Sequence, residues 1–293
     1  MASTREIKDR INSIQDTRKI TNAMYLISST KLRRARKNLE ATEPYFYSIQ
    51  AMMSRMLRHI PDPDHPFFNS HDELSEDEKV AGYLVITADK GLAGAYNHNV
   101  LKMTMEALER RKNTMLFVVG ETGRHFFESK GIPIDEEFHY TAQNPSLHRA
   151  RVISLKLLEL YRAGSLHELY IVFTSMKDMM NAEVQSKQLL PLRSTPPKMI
   201  VPAGVHHEEF ALKPSLDAVV ENVVPNYIMG FIYSALVESF CSEQNSRMLS
   251  MKAANSAASD ILHDLSVKHN RIRQAGITQE ITEVVGGAKA LKR

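Results

Sequence analysis

All twelve prolines of this 293-residue chain lie between Pro44 and Pro225, so the first 43 residues and the last 68 contain none. Glycine is also missing before Gly82, and the 45 residues between Gly230 and Gly276 hold neither breaker. Proline in a helix interior costs about 3 kcal/mol and glycine about 1. The two ends are therefore free to form very long helices. At about 1.5 Å per residue, roughly 40 residues make a rod of about 60 Å, whereas a mean globular helix has about 11–12 residues. Two rods leaving a compact middle predict a mechanical part rather than a catalytic pocket.

The chain is long enough to bury a sizeable core in one or two domains. Its net charge of +3 is small but unevenly spread. Residues 1–60 carry twelve bases and five acids, and residues 61–80 carry one base and seven acids. The first helix is thus a basic surface, suited to acidic partners or anionic lipid. The single cysteine, Cys241, excludes an internal disulfide and any cysteine-based metal cluster, and reads as a packing residue. The nearest approach to a membrane span, 227–240, is short and contains Gly230 and Glu238, so no span is expected. The opening segment lacks the apolar core of a secretory signal, and its acids Glu6, Asp9 and Asp16 argue against a transit peptide.

Ser3 and Glu6 fit a capping box that starts the first helix near Thr4. Apolar residues then recur at Ile7, Ile11, Ile14, Ile20, Met24, Ile27, Ala35 and Leu39, mostly three or four apart. That is the seam of a helix pairing with another, although Thr17 and Lys31 make it looser than a strict zipper. Four segments follow: a shaft helix over 1–60, an acidic solvated linker over 61–79, an α/β globular domain over 80–215 and a second shaft helix over 216–293. Within the middle, strands are expected at 80–87, 115–119 and 169–173, and helices at 101–111, 120–130 and 147–161. Their alternation implies a mostly parallel, Rossmann-like sheet. The stretch 174–215 reads as irregular, with one possible strand at 198–201. The closing helix carries a stripe of Leu236, Phe240, Met248, Met251, Ala254, Ala258, Ile261, Leu265 and Ile272, and its Ala/Ser-rich run from Ala253 to Ser259 keeps it slim.

Catalytic and cofactor chemistry finds little purchase. Neither a GxGxxG turn nor a GxxxxGK[ST] phosphate loop is present, and Gly120-Glu-Thr-Gly123 reads as a plain strand-to-helix turn. His206-His207 lies in a proline-flanked loop without further ligands at metal spacing. No catalytic residue, cofactor or metal is expected. The segment Thr87-Ala-Asp-Lys-Gly-Leu-Ala-Gly-Ala-Tyr-Asn97, with Asp89, Lys90, Gly91 and Gly94, sits at the carboxyl end of the first strand. It is either a structural turn or a ligand crevice of an open α/β sheet. Lys31, Arg33, Arg34, Arg36 and Lys37 make a dense basic patch. Without interleaved aromatics or a second basic arm, it suits a solvated helix face or an acidic protein partner better than nucleic acid or anionic membrane. The segment from Ile277 to Lys289 mixes β-branched and polar residues, which suits either polar contacts with a surrounding protein or a polar, frayed helix end.

Four runs, in order along essentially the whole length, resemble the family of F-type ATP synthase gamma subunits. They are IKDRINSIQDTRKITNAMYLISSTKLRRA (7–35), TADKGLAGAYN (87–97), SRMLSMKAANSAA (246–258) and ITQEITEVVGGAKA (277–290). The resemblance implies a long antiparallel coiled coil of the two terminal helices, mounted on a central α/β domain. It further implies a rotor that turns inside three alpha and three beta subunits and binds the epsilon subunit and the membrane c-ring. Such a shaft couples ion flow to ATP synthesis or hydrolysis without bond chemistry of its own. Carried over by position, rotor–stator contacts fall on Met24, Arg247, Gln274, Thr278 and Glu280. Met24 and Arg247 are expected to face each other, and the basic patch to face acidic loops of beta. Ala93 stands where many members carry cysteine, and the paired regulatory cysteines of chloroplast members are missing. These features imply a bacterial enzyme at the cytoplasmic face of the plasma membrane. Two competing readings are a nucleotide-binding α/β protein with helical dimerisation arms and a basic coiled-coil protein that binds nucleic acid.

Overall fold

The computed structural model describes residues 4–59, 65–176, 182–192, 213 and 215–290. The chain opens with α1 (Thr4–His59), of 56 residues, and closes with α5 (Leu216–Ala290), of 75. Between them come β1 (Ala81–Ile86), α2 (Tyr96–Leu108), β2 (Thr114–Val119), α3 (Glu121–Ser129), α4 (Leu147–Arg162), β3 (Glu168–Met176) and β4 (Ala182–Leu190). The breaker-free ends are helical as expected, and each helix also runs through its nearest proline, Pro44 or Pro225. No described helix is long and apolar enough to cross a membrane. The capping Ser3 and the possible strand at 198–201 fall outside the described residues.

The chain divides into two compact units, one of Met1–Ser29 with Arg247–Arg293 and one of Thr30–Ser246. In the first, Ile7 is buried and Ile11, Ile14, Thr21 and Met24 are half-buried along α1. Along α5, Met251, Ala258 and Leu262 are buried, with Asn255, Leu265, His269 and Ile272 half-buried between and beyond them. Steps of three and four alternate, as in a coiled-coil seam. Part of the expected stripe is displaced. Ile20, Ile27 and Ile261 are 62%, 56% and 44% exposed, whereas Thr21 and Leu262 turn inward. The apolar residues are more numerous than one narrow seam accommodates, so the surplus faces outward.

The second unit is built on a sheet of order β2-β1-β3-β4. β1 lies parallel to both neighbours, Ala81 opposite Thr114 on one side and Glu168 on the other. β4 pairs antiparallel with β3 from Leu169↔Leu190 to Met176↔Ala182. The sheet is mixed α/β and mostly parallel, as the alternating pattern predicts. One sheet face, with Tyr83, Val85 and Val118, packs on Val100 and Leu101 of α2 and Phe127 of α3. α5 belongs to the core too. Val220, Val224, Ile228 and Ile232, each four residues from the next, have no exposed surface. Phe231 meets Phe173 of β3 edge-on at 6.0 Å. Ser239 Oγ accepts from the Thr174 N–H at 3.2 Å. From Ser239 to Asn245 every α5 residue is buried, including Ser242, Glu243 and Gln244, so the helix is enclosed on all sides there.

The described part of the acidic linker is tied down rather than solvated throughout. Phe67, in a one-turn helix at Pro66–Phe68, is fully buried, and its carbonyl accepts from the Leu192 N–H at 2.8 Å. Arg111 pairs with Glu76 and, at 2.8 Å, with Glu168, while Lys112 pairs with Asp77. The linker's carboxylates thus face bases that follow α2.

Candidate functional site

The turn after β1 is pinned at both ends. The Ala88 N–H donates to Asn97 Oδ1 at 2.9 Å. The Thr87 hydroxyl donates to the Val119 carbonyl at 2.9 Å and accepts from the Gly123 N–H at 3.0 Å. Added Cβ atoms at Gly123 and Gly120 would lie 2.6 and 2.4 Å from Thr87 atoms, and Gly120 has φ +97°. These two glycines therefore serve close strand-to-helix packing, the plain-turn reading of Gly120–Gly123.

Asp89 is the centre of this region. Its carboxylate accepts from the N–H groups of Ala142 at 3.0 Å, Gln143 at 3.2 Å and Glu121 at 3.4 Å, and from the Thr141 hydroxyl. One charge thereby fixes the loop 141–143 against the carboxyl ends of the strands. Arg149 holds the same loop from the other side, its Nη1 donating to the Gln143 carbonyl at 2.6 Å. The turn itself bulges outward. Lys90 and Gly91 are exposed, Leu92 is 65% exposed with φ 62°, and Gly94 has φ 56°. A leucine held in the left-handed region and left in solvent is strained without local gain.

The basic patch is divided in its contacts. Lys31 is half-buried and donates to Gln143 Oε1 at 3.0 Å, which brings the patch to the Asp89-held loop. Arg36 is half-buried and close enough to Cys241 to act on its thiol. Arg33, Arg34 and Lys37 are exposed. Burial pushes the Cys241 thiol up to about 11, with Arg36 opposing, so the thiol is a packing group. Sequence spacing identified the bases and the turn but not their link through Gln143, nor the roles of Thr141 and Arg149. No local pattern joins residue 89 to residues 52–54 positions away.

The remaining positions lie on the helices. Met24 is half-buried and Arg247 is buried. Gln274, Thr278 and Glu280 are exposed, within a stretch of α5 from 273 to 288 in which every residue is exposed. Ile277, Ile281, Val284 and Val285 belong to this stretch and are 48–72% exposed. Gly276, Gly286 and Gly287 have open space around them, so none marks a close helix contact. Among the described residues no three His, Cys, Asp or Glu side chains cluster for a metal ion, and His206-His207 lies outside those residues.

Comparison with known proteins fits this arrangement. A family model described as ATP synthase matches residues 3–291. The chain is 42% identical over 297 residues to a protein of Acetivibrio thermocellus named ATP synthase gamma chain, with both chains fully covered. It is 40% identical to the ATP synthase gamma chain of Ruminiclostridium cellulolyticum, covering 98% of each. Among solved structures, a chain of the Euglena gracilis mitochondrial ATP synthase, OSCP/F1/c-ring, matches with TM-score 0.66 at 14% identity, covering 98% of this chain and 94% of that one. A chain of the Tetrahymena thermophila mitochondrial ATP synthase central stalk/c-ring matches with TM-score 0.59 at 20% identity, covering 80% and 99%.

Proposed function

The chain belongs to the family of ATP synthase gamma chains, and from that premise we propose that it is the central rotor shaft of an F-type ATP synthase. Ion flow through the membrane c-ring turns it, and its asymmetry drives the three beta sites of a surrounding alpha/beta hexamer through different nucleotide affinities. It is a non-catalytic subunit. The observation that carries this reading is the end of α5: from 273 to 288 nothing covers the helix, yet it presents four large apolar side chains. An exposed apolar stripe of that kind marks a protein partner. Ile20, Leu26 and Ile27 on α1 add to the apolar surface. A shaft touching the three beta subunits alike would bias none of them, so the contacts must differ around it.

Within this reading Gln274, Thr278 and Glu280 meet the hexamer with their polar groups, and Met24 and Arg247 lie where the lower loops of beta sweep past. Arg33 and Lys37, exposed on α1, face acidic loops of beta. The α/β unit carries the shaft and binds epsilon and the c-ring. The bacterial relatives support a place at the cytoplasmic face of the plasma membrane.

Reconstitution tests the role and the contacts together. Mixing the chain with alpha and beta should yield a complex with one copy of it per three of each, active in ATP hydrolysis. In the membrane-bound holoenzyme Met24→Lys should lower the ions pumped per ATP while leaving assembly intact, because it places a second cation near Arg247. Three copies of the chain per complex would refute the rotor, and unchanged pumping by the variant would refute the contact. The reading as a nucleotide-binding α/β protein loses support at the Gly120–Gly123 turn, where the space a phosphate would need is filled by Thr87.

A further inference from the structure

A cavity of about 410 Å³ opens in the α/β unit between α1, the loop after Tyr140 and α5. Lys31, Arg34, Ala35 and Asn38 line it from α1, Asn144 and Pro145 from the loop, and Val237 and Phe240 from α5. We propose that this cavity is a binding site for a small phosphate ester, its phosphate held by Lys31, Arg34 and the two asparagines and its organic part lying on Val237 and Phe240.

The first argument is charge. Lys31 and Arg34 stand three apart on one helix, and like charges at that spacing destabilise a helix by a few tenths of a kcal/mol. No carboxylate lines the cavity to offset them. Arg33, Arg36 and Lys37 add to the same positive field. An anion in the cavity would relieve the repulsion.

The second argument is unused hydrogen-bonding capacity. Arg34 makes no hydrogen bond or ion pair among the described residues, and the side-chain amides of Asn38 and Asn144 are unbonded there too. Lys31 uses one of its three donors, on Gln143. A phosphate presents several acceptor oxygens with about two negative charges, which suits one ammonium, one guanidinium fork and two amides.

The third argument is rigidity. The loop wall is held by Asp89 on the Ala142 and Gln143 N–H groups and by Arg149 on the Gln143 carbonyl. Asn144 is kept at φ 48°, in the left-handed region. A wall fixed in advance reduces the ordering cost of binding. The floor is apolar and packed, Val237 and Phe240 being almost fully buried. A cavity of a few hundred Å³ with an apolar floor and a few convergent polar groups has the anatomy of a small-molecule site. The inference is independent of the rotor reading.

Calorimetric titration of the full-length chain with AMP, adenosine and inorganic phosphate tests it. AMP should bind saturably with Kd at or below about 1 mM, adenosine should not bind, and phosphate should bind more weakly than AMP. Arg34→Gln should weaken AMP binding by about tenfold or more, as expected for loss of a charge-assisted hydrogen bond. Arg33→Gln, an equal charge change outside the cavity lining, should weaken AMP binding by no more than about twofold, because it removes only a screened field contribution. Among the described residues neither arginine has a partner whose loss would disturb the fold. Absence of saturable AMP binding, equal weakening by the two variants, or adenosine binding as tight as AMP would overturn the site. Phosphate binding as tight as AMP would overturn its assignment to an ester.

Discussion

His167 sits between the strap of residues 71–79 and β3, and its Nδ1 accepts the Val80 N–H at 3.0 Å. A protonated ring has no lone pair for that bond. Burial first, and then the charge of His71, whose ring stands edge-on at 5.1 Å, pull its pKa below the ordinary histidine value. The folded state therefore binds this proton less readily than the unfolded chain does. Its contribution to stability is whole above about pH 6.5 and is lost as the pH falls below that value. His167→Asn, whose amide oxygen offers the same acceptor without titrating, should flatten the dependence of thermal stability on pH between about 7 and 5. An unchanged slope would assign the pH sensitivity to another group. Asp89 shows the other side of the residue scale. Its neighbours in sequence mark a turn, yet its four hydrogen-bond donors come from Glu121 and residues 141–143. Turn chemistry was legible from Gly91 and Gly94; the clamp was not, because it is made across the ends of the sheet.

At the scale of elements, breaker distribution and period predicted the two long helices, the three parallel strands and α4 closely. The misses have particular causes. β4, with Glu183, Gln185 and Lys187, is a half-exposed edge strand, and its polar face hides the alternation that marks a strand. α2 begins at Tyr96, five residues earlier than its apolar pattern suggests, because its first turn is Tyr-Asn-His-Asn and Ala95 supplies no side-chain cap. The enclosed polar run Ser239–Asn245 escaped notice because helix periodicity assumes one wet face. Glycines in α5 now separate by context. A Cβ at Gly230 would lie 2.3 Å from the Phe46 ring, whereas Gly276 has nothing within 4 Å. Gly230→Ala should lower stability by roughly 1–3 kcal/mol through overpacking. Gly276→Ala should favour the helix by up to about 1 kcal/mol. Thermal unfolding reads the first, and slowed amide hydrogen exchange over 277–288 reads the second. Equal effects at the two sites would show that helix propensity, not the Phe46 contact, governs Gly230.

For the whole molecule, the two terminal helices are shared between a helical unit and an α/β unit. Sharing of this kind suits a part that passes a twist from one place to another, since a continuous helix carries strain along its length. The sequence resemblance extended along the whole chain, and the family match does the same over residues 3–291. What single-chain reasoning could not supply was the outward-facing apolar surplus on both helices, because a seam pattern does not say which apolar residues lack a partner. In the rotor account that surplus is the bearing surface, and the basic face of α1 adds a charge contact. The account is tested most directly by watching this chain turn. With the alpha/beta hexamer fixed to a surface and a bead on the α/β unit, ATP should drive one-way rotation with three pauses per turn, one for each beta site. A complex that hydrolyses ATP at full rate while the bead stays still would contradict it.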